Sequence, residues 1–249
     1  MTTVSESHVI VKTPDGVADC YFVHPANGTH PGVILWPDSL GLRPAYEAIA
    51  KKFCESGYSV LVVNPYYRTA AAPIGVDIDA FNTPAGREKV MGLANAVTAD
   101  MTMTDAAALA EYLDQQKSVD RKRKLGTIGY CLGAVMALRT ALRVVDRVGA
   151  FASFHGARLV TREPSSAHLQ LSATRAPALI AIAESDDEKD PLVKTLLREA
   201  YEKANLAAEI EVYAGTKHGW CVPDAKVYDP MQAERAWSRL LVHFGEALA

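Results

Sequence analysis

The chain has 249 residues, of which 49% are apolar and 22% charged, and its 26 basic and 29 acidic side chains leave a formal net charge of −3. A chain of this length and composition can bury one sizeable core, so we expect one domain, or at most two, and predict a single globular domain over residues 1–249. The near-neutral charge argues against nucleic-acid partners and against binding to an anionic membrane surface.

Four cysteines lie far apart in the sequence, at Cys20, Cys54, Cys131 and Cys221. They form neither a CxxC pair nor the dense framework of a small secreted protein, so we interpret them as free thiols. The first residues do not read as a secretory signal, and no run of about 18 uncharged apolar residues occurs. We therefore expect a cytoplasmic protein.

Short runs rich in β-branched residues alternate with longer amphipathic runs, a pattern typical of a mostly parallel sheet with helices on both faces. Runs such as VILW and ALIAIA are continuously apolar, as strands buried on both faces must be. The turn sequence TPDG separates the first two runs, so the sheet should open with an antiparallel hairpin. The predicted strands are residues 8–12, 21–24, 33–36, 59–64, 125–129, 149–154, 178–183 and 209–213.

Two helices carry start signals of their own. Asp190 and Asp229 each precede a proline, which places an N-cap oxygen before a residue suited to the first helical position. Apolar residues follow at helical spacing in both cases. Two further helices are predicted within 105–116 and 133–143.

Two long stretches, 65–84 and 157–177, show no regular pattern. Loops of this length are unusual in a compact domain and often shape a binding site. Disorder is the alternative interpretation for the second stretch.

The sharpest local signal is the pentapeptide GYCLG at 129–133, which follows a predicted strand and opens a predicted helix. Cys131 would sit on a tight turn whose flanking glycines are needed because side chains there would collide with neighbouring elements. Such a turn projects the sulfur at the carboxyl end of the sheet, and the start of a helix favours thiolate. The alternative is a structural cysteine on a glycine-flanked turn.

A nucleophile on such a turn needs an acid after a later strand and a histidine after the last strand, in that chain order. The predicted strand 178–183 runs directly into Glu184-Ser185-Asp186-Asp187, and His218 follows the predicted strand 209–213. The alternative for the acidic residues is a helix N-terminus, and the alternative for His218 is a surface histidine.

The motifs GYCLGA at 129–134, AESDD at 183–187 and KHGW at 217–220 together resemble the dienelactone hydrolase (carboxymethylenebutenolidase) family of the α/β-hydrolase fold. The resemblance runs over nearly the whole chain, and cysteine in place of the more common serine is its distinguishing element. It implies hydrolysis of a small lactone or activated ester through a thioester on Cys131, with His218 as the base.

The same resemblance selects the acid that orients His218. The family spacing of a small residue, two variable residues and an aspartate runs from Ala183 to Asp186. A second family habit, proline four residues after the aspartate, selects Asp187 instead. We favour Asp186 and keep Asp187 open.

The resemblance also implies an acidic residue near the resting cysteine, just after an early strand. The matching segment 37–41 gives Asp38 as this acid, and the backbone N–H groups of Ser39 and Leu132 as donors of an oxyanion hole. Better-known members carry glutamate where this chain has Asp38, and this departure concerns the activation of the cysteine.

Dienelactone substrates carry a carboxylate, which the family binds partly with arginine in the loop after the next strand. Arg68 lies there, one position from where we would align it, and its planar fork suits a carboxylate. A solvated loop arginine is the alternative. Tyr67, His155 and Trp220 are further candidates for the pocket wall, with core packing as their alternative.

We therefore predict an α/β hydrolase acting on a small-molecule lactone or ester, as a monomer or small homo-oligomer. Nothing in the sequence resembles a phosphate-binding loop, a zinc helix or a dinucleotide fingerprint, so we expect no cofactor and no metal. The alternatives are a broader carboxylesterase or thioesterase on the same triad, and a non-catalytic hydrolase-like binding or redox-sensing protein.

Overall fold

All eight predicted strands occur in one sheet of the computed structural model, which describes residues 3–249. The last six strands along the chain lie within one residue of their predicted bounds. The two hairpin strands are longer, because their backbone pairing continues past the apolar residues from Val4↔Pro25 to Thr13↔Gly16. The strands are β1 (Val4–Thr13), β2 (Gly16–Pro25), β3 (Gly32–Trp36), β4 (Ser59–Val63), β5 (Leu125–Tyr130), β6 (Val148–Phe154), β7 (Ala178–Ala183) and β8 (Ala208–Tyr213).

The strand order is β1-β2-β4-β3-β5-β6-β7-β8. β2 is antiparallel to both of its neighbours, and the strands from β4 across to β8 are parallel. This confirms the prediction of a mostly parallel sheet that opens with an antiparallel hairpin. Because parallel strands end at the same edge, the loops after β3, β5, β6, β7 and β8 meet there.

Helices cover both faces of the sheet, as predicted. α1 and α8 bury apolar residues in the core on one face, and α4, α5 and α7 do so on the other. The helices are α1 (Pro44–Glu55), α2 (Ile78–Phe81), α3 (Pro84–Ala96), α4 (Ala99–Gln115), α5 (Gly133–Arg143), α6 (Glu184–Lys189), α7 (Leu192–Lys203) and α8 (Pro230–Ala247).

Of the two predicted N-cap aspartates, Asp229 caps its helix and Asp190 does not. Asp229 caps α8, since its carboxylate accepts from the N–H groups of Met231 and Gln232. The prediction for Asp190 is wrong, because its side chain makes no cap hydrogen bond to α7. Asp190 ends α6 as its C-cap, so its backbone belongs to the junction between two helices.

The two long stretches are ordered in part by short helices. The first contains α2, and the second contains a 3₁₀ helix at Ala167–Ala173 that buries Leu171. Three longer or site-adjacent helices were not predicted from the sequence. They are α1, which begins without a side-chain cap, α3, which buries only Val90 and Ala94, and the short α6. Over residues 3–249, no helix has the length and apolar character needed to cross a membrane.

Candidate active site

Cys131 occupies a strained turn between β5 and α5. Its φ of +50° lies in the left-handed region, which costs a residue with a side chain on the order of 1–3 kcal/mol. A Cβ at Gly129 would lie 2.0 Å from the carbonyl oxygen of Gly133, and a Cβ at Gly133 would lie 2.3 Å from that of Trp36. Both glycines are therefore required by close backbone approach, as the sequence predicts.

Backbone hydrogen bonds fix this turn against the next strand. The N–H of Cys131 donates to the carbonyl of Phe154 at 3.1 Å, and its own carbonyl accepts from the N–H of Ala157 at 2.8 Å. The Cys131 side chain is partly exposed, whereas the other three cysteines are buried. Burial raises the pKa of the Cys20 thiol to about 12 and that of Cys54 to about 11. Cys131 is thus the thiol that solutes reach most readily.

His218 lies in the loop after β8 and pairs with an acid that follows β7. Its Nδ1 is 2.7 Å from Oδ2 of Asp186. The hydroxyl of Ser185 accepts the backbone N–H of His218 at 3.1 Å, which fixes the loop. Asp187 instead pairs with Lys194 at 2.5 Å. Of the two adjacent carboxylates, only Asp186 contacts the histidine.

The environment of His218 favours the charged imidazolium. Burial lowers its pKa, but hydrogen bonds with Asp186 and Cys131 outweigh burial and raise the pKa from 6.5 to about 10. The imidazole of His218 therefore holds its proton near neutral pH.

Two backbone N–H groups beside the cysteine are unused. Over residues 3–249, neither the N–H of Ser39 nor that of Leu132 has an acceptor in the protein. The neighbouring N–H groups are occupied, since Leu40 donates to the Asp38 carboxylate at 2.9 Å and Gly41 to the Asp38 carbonyl at 2.9 Å. The two free N–H groups are available to donate to an oxygen atom of a molecule in the cavity.

Asp38 lies in the predicted loop, but its carboxylate is held by an arginine. Arg43 donates to both oxygens, at 2.7 and 3.0 Å, and also to both oxygens of Asp224, at 2.7 and 3.0 Å. No hydrogen bond joins Asp38 to Cys131 within residues 3–249. This differs from the expected contact with the resting cysteine, and the physical reason is that a bidentate charged partner outcompetes a neutral thiol for the carboxylate.

The sequence missed Arg43 and Asp224. Asp224 is 181 residues from Arg43 in the chain, and only the meeting of the loops after β3 and β8 joins them. The one local signal for Arg43 is its position directly before Pro44, the first residue of α1, in the loop that follows β3. Nothing local marks Asp224 as its partner.

The candidates for the pocket wall divide into two groups. His155 lines the cavity, is buried, and has its ring 4.9 Å from that of His218. Burial and the nearby His218 lower the pKa of His155 well below 6.5, so it is neutral. Trp220 is fully buried behind the site and stacks on Tyr213, which is core packing.

Arg68 and Tyr67 lie away from this cavity. Arg68 donates to both oxygens of Asp105, at 2.9 and 2.8 Å, and to Asp15 at 2.6 Å. The Tyr67 hydroxyl donates to the same Asp105 at 2.7 Å. Asp105 is buried in α4, so this network anchors the loop after β4, and neither candidate side chain faces Cys131.

Cys131, His155, His218 and Ser39 share one cavity of about 240 Å³ at the carboxyl edge of the sheet. Part of its wall comes from α2, which belongs to the first long stretch of the sequence. The apolar part of the wall is formed by Leu40, Ile78, Phe81, Val222, Ala225 and Val227. The cavity is large enough for a small organic molecule. Over residues 3–249, no group of three or more His, Cys, Asp or Glu side chains is placed to hold a metal ion.

The sheet order and the strand–turn–helix around Cys131 define an α/β-hydrolase fold. Residues 18–248 match the model of the dienelactone hydrolase family, and the chain belongs to that family of hydrolases.

Individual relatives are distant. The chain is 22% identical over 246 residues to a Bradyrhizobium protein named "Probable 2-oxo-3-(5-oxofuran-2-ylidene)propanoate lactonase", covering 97% of this chain and 94% of that one. It is 24% identical over 141 residues to the carboxymethylenebutenolidase of Rhodococcus opacus, covering 56% of this chain and 50% of that enzyme. Among solved structures, a candidate dienelactone hydrolase from Klebsiella pneumoniae superposes with a TM-score of 0.84 at 18% identity, covering 98% of this chain and 99% of that one. The last similarity shows the shared fold.

Proposed function

We propose that this protein hydrolyses a small lactone or activated ester through a thioester on Cys131, with His218 as base and acid and Asp186 orienting the histidine. The observation that carries the proposal is the left-handed turn that presents Cys131 beside the His218–Asp186 pair. The name of the Bradyrhizobium relative, a lactonase, favours a lactone among the possible substrates.

In the first half of the reaction, the proton of the Cys131 thiol lies on the imidazole of His218, and the thiolate sulfur attacks the carbonyl carbon. The carbon–oxygen bond of the ring or ester then breaks, and His218 returns the proton to the leaving oxygen. The product of this half is a thioester. In the second half, water gives a proton to His218 and attacks the thioester. The Cys131 thiolate then leaves, and that proton stays on His218.

The N–H groups of Ser39 and Leu132 supply the oxyanion hole in this proposal. Within the described part of the chain, neither N–H has an acceptor, and both adjoin Cys131 or its cavity. A donor of this kind contributes about 3–4 kcal/mol to the stability of the transition state in comparable enzymes.

Asp38 takes a positioning role rather than that of a proton acceptor for the cysteine. Its carboxylate binds Arg43 and the N–H of Leu40, which fixes the loop that carries Ser39. We propose that His218 alone receives the proton of Cys131, so that the shorter side chain of Asp38 does not need to reach the sulfur.

A substrate screen tests the proposal against its rivals. Purified protein is assayed with unsaturated lactones, aryl esters and thioesters, with Cys131→Ala as the test variant and Cys54→Ala as a control that removes a remote thiol. Hydrolysis of lactones that Cys131→Ala abolishes supports the proposal, and equal rates on many acyl groups favour a broader esterase or thioesterase. Absence of all hydrolysis, with Cys131 still readily oxidised, favours the redox-sensing alternative.

A cytoplasmic location, a single domain and a monomeric or small homo-oligomeric state stay predictions from the sequence. Gel filtration and limited proteolysis of the full chain test the last two. The prediction that no cofactor is used is tested by activity of protein purified in the presence of a chelator.

A further inference from the structure

Arg43 is a buried guanidinium at the cavity whose hydrogen-bonding capacity is fully used. An arginine has five N–H donors. Two of them bind Asp38, two bind Asp224, and the fifth donates to the carbonyl of Gly41 at 3.2 Å. The side chain is only 9% exposed. It therefore has no donor left for the carboxylate of a substrate.

The charges around Arg43 give this wall a negative balance. One arginine between the two carboxylates of Asp38 and Asp224 leaves a net charge of −1. The side chains of Arg43 and Asp38 are largely buried, whereas that of Asp224 is 39% exposed, so solvent screens the Asp38 end of the group less than the Asp224 end. An anionic group in the cavity would meet like-charge repulsion.

The other cationic side chains of the wall each pair with a carboxylate, so neither pair adds net charge. His218 pairs with Asp186, and Lys226 lies at the exposed rim. Lys226 pairs with Asp79 of α2 at 2.6 Å, and both side chains are well exposed. Asp79 balances the charge of this lysine, and solvent screens the exposed pair. The rest of the wall is mostly apolar, and Arg68 is held by Asp105 outside the cavity.

Resting on the proposed function, we infer that this protein is specific for neutral lactones or esters, and that the Asp38–Arg43–Asp224 group makes it discriminate against substrates that carry a carboxylate. Asp224 is the specificity-determining residue in this inference, because it supplies the second negative charge and occupies two of the arginine's donors. The apolar wall then accommodates the uncharged substituents of the ring or acyl chain.

The test compares two substrates of matched shape. One is an unsaturated five-membered lactone with an exocyclic carboxylate, and the other carries a carboxamide at the same position. We expect kcat/KM to be at least about tenfold higher for the carboxamide at low salt, with the gap narrowing as sodium chloride is added, because salt screens repulsion. A preference for the carboxylate, or a ratio that salt does not change, would overturn the inference.

Two variants locate the effect. Asp224→Asn should lower the ratio of kcat/KM for the carboxamide to kcat/KM for the carboxylate by several-fold, mainly by raising kcat/KM for the carboxylate substrate. Glu202→Gln changes the net charge equally on an exposed face of α7 and should leave the ratio unchanged. If the carboxylate is preferred and Lys226→Met abolishes that preference, the lysine is an anion site and the inference is wrong.

A second measurement does not depend on hydrolysis. Cys131 is alkylated with iodoacetamide or iodoacetate, a neutral and anionic pair, and the ratio of rates is followed by mass spectrometry against 2-mercaptoethanol at the same pH. A ratio shifted toward iodoacetamide, and reduced in Asp224→Asn, supports charge discrimination even if neither lactone is hydrolysed and the proposed function fails. A ratio equal to that of the free thiol contradicts it.

Discussion

Asp186 and His218 are joined by a 2.7 Å contact between Oδ2 and Nδ1, although 32 residues separate them in the chain. The neighbouring Asp187 is turned away and pairs with Lys194. This division of work between adjacent carboxylates leads to the first prediction.

Asp186→Asn should lower kcat by about two to four orders of magnitude, because an amide favours the wrong imidazole tautomer. Asp187→Asn is the matched control and should change kcat only a few-fold. Steady-state kinetics on one lactone measures both. The reverse ranking would assign the triad acid to Asp187.

The pKa of His218 should respond to the same substitution. It is raised from 6.5 to about 10 in the parent protein, partly by Asp186, so the imidazole of Asp186→Asn should titrate at a lower pH. A histidine NMR titration measures the difference. Coincident titrations of the parent and variant would contradict the account.

This raised pKa also predicts a pH dependence of stability. The folded form holds the proton more tightly, so the stabilisation is fully present below pH 6.5 and is lost as the pH rises through about 10. The loss of unfolding free energy in Asp186→Asn should therefore be larger at pH 6 than at pH 10. Denaturant unfolding at the two pH values measures it, and the opposite trend would contradict the account.

Gly133→Ala should destabilise the protein by about 3 kcal/mol or more, because its Cβ would lie 2.3 Å from the carbonyl oxygen of Trp36. Gly92→Ala is the matched control, since it lies in α3 with open space around it, and it should stabilise the protein by about 0.5–1 kcal/mol. Thermal unfolding compares them. Equal melting temperatures would mean that the turn relaxes without cost.

The elements most visible in the sequence are those specified locally. Strands β3, β4, β5 and β7 were predicted within one residue because burial on both faces requires continuous apolar runs. The turn around Cys131 was marked by its two glycines. α3 escaped detection because it buries only two residues, so its apolar pattern is weak.

The ion pairs between residues far apart in the chain could not be predicted from the sequence. Arg68 sits in the loop where the resemblance suggested a carboxylate ligand, but its partner Asp105 belongs to α4, 37 residues further on. The pairing of Arg43 with Asp224 is invisible for the same reason. A sequence shows that an arginine is present and does not show which acid occupies it.

The most direct test of the thioester is intact-mass spectrometry of the protein mixed with excess lactone and quenched during turnover. Ring opening leaves both fragments attached, so we expect a transient adduct with the full mass of the lactone on the peptide that contains Cys131. The adduct should decay at the rate of turnover and be absent from Cys131→Ala. Steady lactone hydrolysis without any adduct, and undiminished in folded Cys131→Ala, would contradict the account.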